Sequence, residues 1–349
     1  MKLSQESIFS ASLRSFFTSA FAVIGVAVAS LPFFILSSTV MDERGNEPTS
    51  LYQAVVLSDE NGQREVLKSK GPFILQINIQ GPIGNKKLNA EGIQQQLQEA
   101  KEGIFKNGRI RAILLNISSP GGTVHDSDSI YRSLQSFKKE LQIPIFAYVD
   151  GLCASGGVYV ACAADKIYSS PVSLVGSVGV IMQFMNASEA MEKLGLSSKT
   201  LIAGKEKDAM NPLRPWSPDE ESHYQHLTDS FYHRFVEIVT KARPKISQDQ
   251  LIDDLGAKIF NAEKALEIGL IDHAQAERQD VLRELAKEAS IEGDYQVLEL
   301  RTKNAWMPQW LDAKFGEESS TFSRLSAIPF GDLIESAFLQ EKFLYLYRP

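Results

Sequence analysis

Apolar and polar positions follow two alternating rhythms along this chain. The run from Pro72 to Gly84, "PFILQINIQGPIG", is nearly continuous in apolar residues and reads as a strand running into a Gly-Pro loop. Ile93, Leu97, Ala100 and Ile104 then recur on one helical face. The next run, "IRAILLNIS", is apolar enough for a strand buried on both sides, as in a parallel sheet, and it ends at "SPGG". The plan repeats: Ile130, Leu134 and Phe137 share a helix face, "IPIFAYVD" reads as a strand, and "ASGG" follows it. Strand, glycine turn and helix in repetition predict right-handed βαβ crossovers and an α/β domain. Ligand sites in such sheets lie beyond the carboxyl ends of the strands, where both glycine turns fall.

Weaker patterns flank this centre. "LYQAVVLSDENGQREVL" predicts a hairpin turning at Asn61-Gly62. "DKIYSSPVSLVGSVGVI" predicts short strands with Gly176 and Gly179 at turns. From Ser217, "SPDE" offers a serine N-cap, a proline at the first helical position and Glu220 to close a capping box, opening a helix to about Arg243. A helix near "NAEKALEIGL" stops at Gly269, and "LIDHAQ" resembles a last short strand. Past about residue 296 the pattern fades into linker, and the final "DLIESAFLQEKFLYLYRP" is amphipathic and aromatic.

The N-terminus differs in kind. From Ser15 to Met41 there is no charged residue, and spanning a bilayer takes roughly 20 apolar residues. Lys2 and Arg14 precede the segment while Asp42, Glu43 and Glu47 follow it. That bias predicts a cytoplasmic N-terminus, a single-pass anchor and an extracytoplasmic remainder. A cleaved signal peptide is the rival reading, although its apolar core is usually only about 7–15 residues. Composition adds an exclusion. With 44% hydrophobic residues, 23% charged residues and a net charge of -7, the chain has no basic excess of the kind nucleic-acid binding needs. Two cysteines, Cys153 and Cys162, are too few for a disulfide scaffold and read as buried free thiols.

Candidate chemistry centres on Ser155 in "GLCASGGVYVACAA". A serine hydroxyl needs a base to become a nucleophile. The five histidines are His125, His223, His226, His233 and His273, and none lies between His125 and His223. The His-x-x-His pair at 223 and 226 lacks a grouped third ligand, so no metal is expected. Lysine can serve instead if its pKa of about 10.4 falls by roughly 3 units, worth about 4 kcal/mol. In "AGKEKDAM", Lys205 and Lys207 would share one face if extended, and Asp208 would oppose the shift if its carboxylate turned toward them. Solvated loop lysines are the plain alternative. Gly121 and Gly122 leave their N–H groups open to an oxyanion, and Gly156 begins a helix whose N-terminus favours negative charge.

In order and spacing, "QGPIG", "SPGGTVHDSDSIY", "ASGGVYVACAADKIYSSP", "GSVGVI" and "KDAMNP" resemble the signal peptide peptidase A family of membrane-associated serine–lysine peptidases. The resemblance runs from about Phe73 to His273. It implies a Clp/crotonase-like α/β domain of repeated ββα units behind an N-terminal transmembrane helix. By the same resemblance Ser155 is the nucleophile, Lys207 the general base, Gly121 and Gly122 the oxyanion turn with Gly156 beside the nucleophile, and Lys205 a secondary candidate. Asn116-Ile117-Ser118, Cys153 and Val158 depart from the residues frequent in the family and touch substrate-pocket detail more than the dyad.

The implied layout is a cytoplasmic N-terminus at 1–14, an anchor at 15–41, a linker and short hairpin at 42–71, a peptidase domain at 72–290 and an extension at 291–349. The implied partners are remnant signal peptides or other unstructured peptides, the cell inner membrane and further copies of the chain, with no cofactor. Catalytic groups from neighbouring protomers are compatible with this class. The competing readings are a catalytically inactive membrane-bound scaffold or peptide-binding protein, and an acyl-CoA enzyme of the crotonase fold.

Overall fold

The near-continuous apolar runs become the central strands of one sheet because each is covered on both faces. The computed structural model describes residues 52–64, 66, 71–102 and 109–303, together with positions 21, 25 and 344–346. The chain divides into a unit Met1–Ser50 and a unit Leu51–Pro349, and the elements below belong to the second. In chain order they are β1 (Tyr52–Leu57), β2 (Phe73–Gln80), α1 (Ala90–Glu102), β3 (Ile110–Ser119), β4 (Gly121–Thr123), α2 (Val124–Leu141), β5 (Ile145–Ala154) and α3 (Gly156–Ala161). There follow β6 (Lys166–Ser169), β7 (Leu174–Gly176), α4 (Ser188–Lys193), α5 (Glu220–Ala242), a π-helical turn (Gln250–Leu255) and β8 (Ile259–Asn261). The last are α6 (Ala262–Glu267), α7 (Arg278–Glu288), β9 (Gln296–Thr302) and β10 (Leu344–Leu346).

The sheet runs β1-β9-β2-β3-β5-β7-β8, with β6 also on β5. Pairings from β9 through β2, β3 and β5 to β6 and β7 are parallel, while β1 on β9 and β8 on β7 are antiparallel. One face of the central strands packs Ile77, Ile113, Leu115 and Val149 against Ile93 and Leu97 of α1 and Ile130 and Leu134 of α2. The other face packs Ile74, Leu114 and Phe146 against Val281, Leu282 and Leu285 of α7. Full burial of each such side chain is worth about 1.5–3 kcal/mol, so a layer on either side secures the strand ends that carry the glycine turns.

Three local expectations are corrected. The turn at Asn61-Gly62 forms, with Asp59 Oδ1 accepting from the Asn61 and Gln63 N–H groups at 2.9 Å. Its first strand, however, pairs with β9 rather than with a second hairpin strand. The helix expected from Pro218 begins at Glu220, where no side chain caps a backbone N–H: the Ser217 hydroxyl donates to Glu220 Oε1 at 2.9 Å instead. "LIDHAQ" contributes a single bridge, Tyr168 to His273, rather than a strand.

The expected anchor at 15–41 lies outside the described residues, apart from the helical positions Phe21 and Gly25. Among the described residues no helix is long and apolar enough to cross a membrane. Of the C-terminal extension, β9 joins the main sheet and β10 pairs antiparallel with β4.

Candidate active site

Ser155 occupies the single residue between the end of β5 and the start of α3. Its backbone takes φ 53° and ψ -115°, a left-handed conformation that residues with a Cβ rarely adopt. The turn is held from both sides. Its N–H donates to the Gly176 carbonyl at 2.8 Å, and its own carbonyl accepts from Tyr159 N–H at 3.0 Å. The hydroxyl donates to the Gly179 carbonyl at a long 3.4 Å, and the residue is buried at 1% exposure.

What fixes the helix start is packing by very small and very large residues. A Cβ on Gly157 would sit 3.1 Å from the Ser119 carbonyl, so glycine lets α3 approach β3. Tyr159, fully buried, donates its hydroxyl to Asp128 Oδ1 at 2.7 Å and packs its ring 5.1 Å from that of Phe235. Cys153 and Cys162 are free and buried. Burial pushes the Cys162 thiol up to about 12 and the Cys153 thiol in the same direction, which leaves both as inert filling near neutral pH.

The strained turn predicts a separation of two variants. Alanine at 155 keeps the conformational penalty, whereas glycine releases it. Ser155→Gly is therefore expected to be more stable than Ser155→Ala by about 1 kcal/mol. Urea unfolding of the two proteins measures it, and equal stabilities would show that the turn carries no strain.

The second glycine turn lies beside the first. Ser119 Oγ donates to the Gly81 carbonyl at 2.7 Å and accepts from Gly121 N–H at 3.1 Å. Ile83 N–H donates to the Gly121 carbonyl at 2.8 Å, and Thr123 N–H donates to the Ile83 carbonyl at 3.0 Å. Strand alternation therefore turns the polar backbone groups of Gly122 to the opposite edge. A Cβ on Gly122 would fall 1.8 Å from the Ile83 carbonyl oxygen, so only glycine fits there. β10 runs along that edge, with Tyr345 opposite Gly122. Of the expected donors, Gly121 N–H is thus engaged by Ser119, Gly122 N–H faces the edge, and Gly156 N–H stands at the first position of α3, where no intrahelical partner exists.

Lys205 and Lys207 lie in a run of turns rather than in an extended segment, so no strand geometry aligns them. Both are exposed. Lys205 Nζ is 3.2 Å from Glu206 Oε1. Lys207 makes no side-chain hydrogen bond or ion pair among the described residues, and no hydrogen bond joins it to Ser155 within one chain. All five histidines are exposed; His233 Nδ1 engages the Asp229 carbonyl and His273 stacks on Tyr168. Among the described residues no group of His, Cys, Asp and Glu is arranged to hold a metal. Two residues given no role by the sequence reading prove to be organisers, Ser119 at the head of the "SPGG" motif and Arg214 outside every motif. Ser119 ties the two loops around the glycine turn, and Arg214 bonds to Asp208 beside Lys207. Arg214 falls between the "KDAMNP" motif, which ends at Pro212, and the Ser217–Glu220 box, and belongs to neither.

The sequence profile of peptidase family S49 matches residues 137–292, and that of the Clp protease family matches residues 75–175. A putative signal peptide peptidase SppA of Enterococcus faecium is 30% identical over 254 residues, covering 70% of this chain and 72% of that one. A putative protease of Methanocaldococcus jannaschii is 34% identical over 190 residues, 54% of this chain and 60% of its own length. A putative protease of Synechocystis sp. is 32% identical over 204 residues, 58% of this chain and 70% of its own.

Proposed function

Because this chain belongs to peptidase family S49 and is a serine peptidase, we propose that it is a membrane-anchored endopeptidase with a Ser155–Lys207 dyad. Its substrates are remnant signal peptides or other unstructured peptides near the membrane. The observation that carries this reading is Ser155 on a sharp strand-to-helix turn next to an edge strand of glycines. A strand-to-helix turn of this kind carries the nucleophile in other serine hydrolases.

Chemistry follows from the groups assembled there. Neutral Lys207 takes the proton of Ser155 Oγ as the oxygen attacks a peptide carbonyl. Negative charge developing on the carbonyl oxygen meets the N–H groups of Gly122 and Gly156. As the tetrahedral adduct collapses, Lys207 returns its proton to the departing amine, leaving an acyl group on Ser155. Water, deprotonated by Lys207, then attacks the ester. The carboxylate product leaves and Ser155 regains its proton. The scheme uses no metal or nucleotide.

Substrate class is supported by the β4 edge. It already accepts an extended antiparallel strand in β10, and a substrate peptide lying there takes the place of that strand. Segments folded into their own sheets have no free backbone to offer, so unstructured peptides suit the edge. The uncharged stretch Ser15–Met41 supports anchoring, which holds the site where membrane-released peptides emerge.

Assembly is supported by a second contrast. Ser155 is buried whereas Lys207 is exposed, and Met185, Leu194, Leu196 and Leu201 leave apolar side chains exposed on the segment leading to it. A neighbouring protomer covering that segment brings its own Ser155 to Lys207. Mixing tests this: Ser155→Ala and Lys207→Ala proteins, each inactive, are dissociated, combined and reassembled, and fluorogenic peptide hydrolysis is followed. Regained activity is expected from a dyad shared between protomers. No gain, with mixed assembly verified, would put both residues of each dyad in one chain.

A further inference from the structure

Two carboxylates flank Lys207 in the chain, Glu206 and Asp208. Either one facing the amine would favour its charged form and oppose its work as a base. Both are engaged elsewhere. Glu206 pairs with Lys205 at 3.2 Å, an exposed and weak contact. Asp208 is held more firmly by Arg214, whose Nε donates to Oδ2 at 2.9 Å and Nη2 to Oδ1 at 3.3 Å. Nη2 also donates to the Asp208 carbonyl at 2.8 Å.

The same guanidinium closes on the first residue of α5. Nη1 donates to Glu220 Oε1 at 2.7 Å and Nη2 to Oε2 at 3.0 Å. Glu220 in turn accepts from Met210 N–H at 2.8 Å, from Ser217 N–H at 3.0 Å and from the Ser217 hydroxyl at 2.9 Å. Nη1 reaches the Pro215 carbonyl at 2.9 Å as well. The planar five-donor fork of arginine is thus spread over both ends of the loop 208–220, a geometry that an ammonium cannot reproduce. Lys207 is left, among the described residues, as the cation of this turn without a carboxylate partner.

We propose that Arg214 is a positioning residue for the general base: with Glu220 it turns the Asp208 carboxylate away from Lys207 and fixes the turn that presents the amine. The proposal rests on Lys207 being the base. Charged groups on the elements packed about the turn are Lys205, Glu206 and Asp208 on the turn itself, Arg214 on the segment after it, Glu220 on α5, and Lys199 on the segment bonded to Asn211 through Thr200. The Arg214 guanidinium holds the Glu220 carboxyl well below the usual carboxylate range and lowers that of Asp208 too. Both therefore stay ionised across the neutral and alkaline range in which a lysine base titrates, so the pH dependence there reports the amine.

The test is the pH profile of kcat/KM for the full-length, assembled protein, in which activity rises with pH as the base loses its proton. Freed Asp208 near Lys207 raises the amine pKa, so Arg214→Ala is expected to move the rising limb up by about one pH unit. Below the limb that is about a tenfold loss. Adding Asp208→Asn to Arg214→Ala is expected to return the limb to its original place, and Arg214→Lys to move it in the same direction by less. A merely structural role would lower kcat equally at every pH and leave the limb where it was. An unmoved limb in Arg214→Ala, or a limb still displaced in the double variant, overturns the proposal. If Arg214→Ala does not assemble, the Arg214→Lys profile decides the matter by the same criterion. Lys207→Ala separates the two levels: full activity there sinks the base itself, whereas an inactive Lys207→Ala beside an unmoved Arg214→Ala limb sinks the positioning role alone.

Discussion

Replacing Ser155 with alanine is expected to lower fluorogenic peptide hydrolysis by about ten-thousand-fold or more while leaving the fold intact. The loss follows from removing the attacking oxygen. The intact fold follows from how little else that oxygen does: its one bond among the described residues, to the Gly179 carbonyl, is 3.4 Å long. Deleting so weak a hydrogen bond costs no more than about 1 kcal/mol. The backbone bonds that shape the turn, from Ser155 N–H to Gly176 and from Tyr159 N–H to the Ser155 carbonyl, survive the change. Residual turnover is expected from the oxyanion donors and peptide binding alone. Hydrolysis near the wild-type rate in a correctly folded Ser155→Ala protein would remove this residue from the chemistry.

The second large effect concerns Lys207. Lys207→Ala is expected to lose activity on the same scale, yet its stability should stay within about 0.5 kcal/mol of the parent, since the side chain is exposed and makes no bond among the described residues. Lys207→Arg sharpens the point. Arginine keeps the charge and length but does not give up its proton in proteins, so it is expected to be as inactive as alanine. Activity retained in Lys207→Arg would mean that the site needs a cation and not a base. Residues acting as one unit are not additive, so Ser155→Ala combined with Lys207→Ala is expected to be no worse than either alone. Lys205, already paired with Glu206, should give only a partial loss when replaced by alanine.

Much of the centre was legible in the residues themselves. A strand covered on both faces must be apolar throughout, which is why β2, β3 and β5 stand out as runs, and the helix faces at Ile93 and Leu97 and at Ile130 and Leu134 obey the helical period. Glycine at 122 marked a turn. That its missing Cβ makes room for the Ile83 carbonyl depended on a loop some distance away in the chain. The left-handed backbone of Ser155 left no trace in residue type, because serine does not favour it and the surrounding bonds impose it. β1 and β9 are far apart in the chain, and nothing local in "YQAVVL" names its partner. Arg214 stayed silent for a similar reason. It is six positions from both Asp208 and Glu220, a spacing that belongs to no regular element, and only the folded loop brings the three charges together.

Acylation of the nucleophile tests the account most directly. The assembled protein and its Lys207→Ala variant are exposed to a serine-directed acylating probe across the neutral and alkaline range, and the modified residue is located by mass spectrometry. The account predicts a single acyl group on Ser155, forming faster as pH rises in the parent and at a negligible rate in Lys207→Ala. Modification at another residue, or equal rates at Ser155 with and without Lys207, would contradict it.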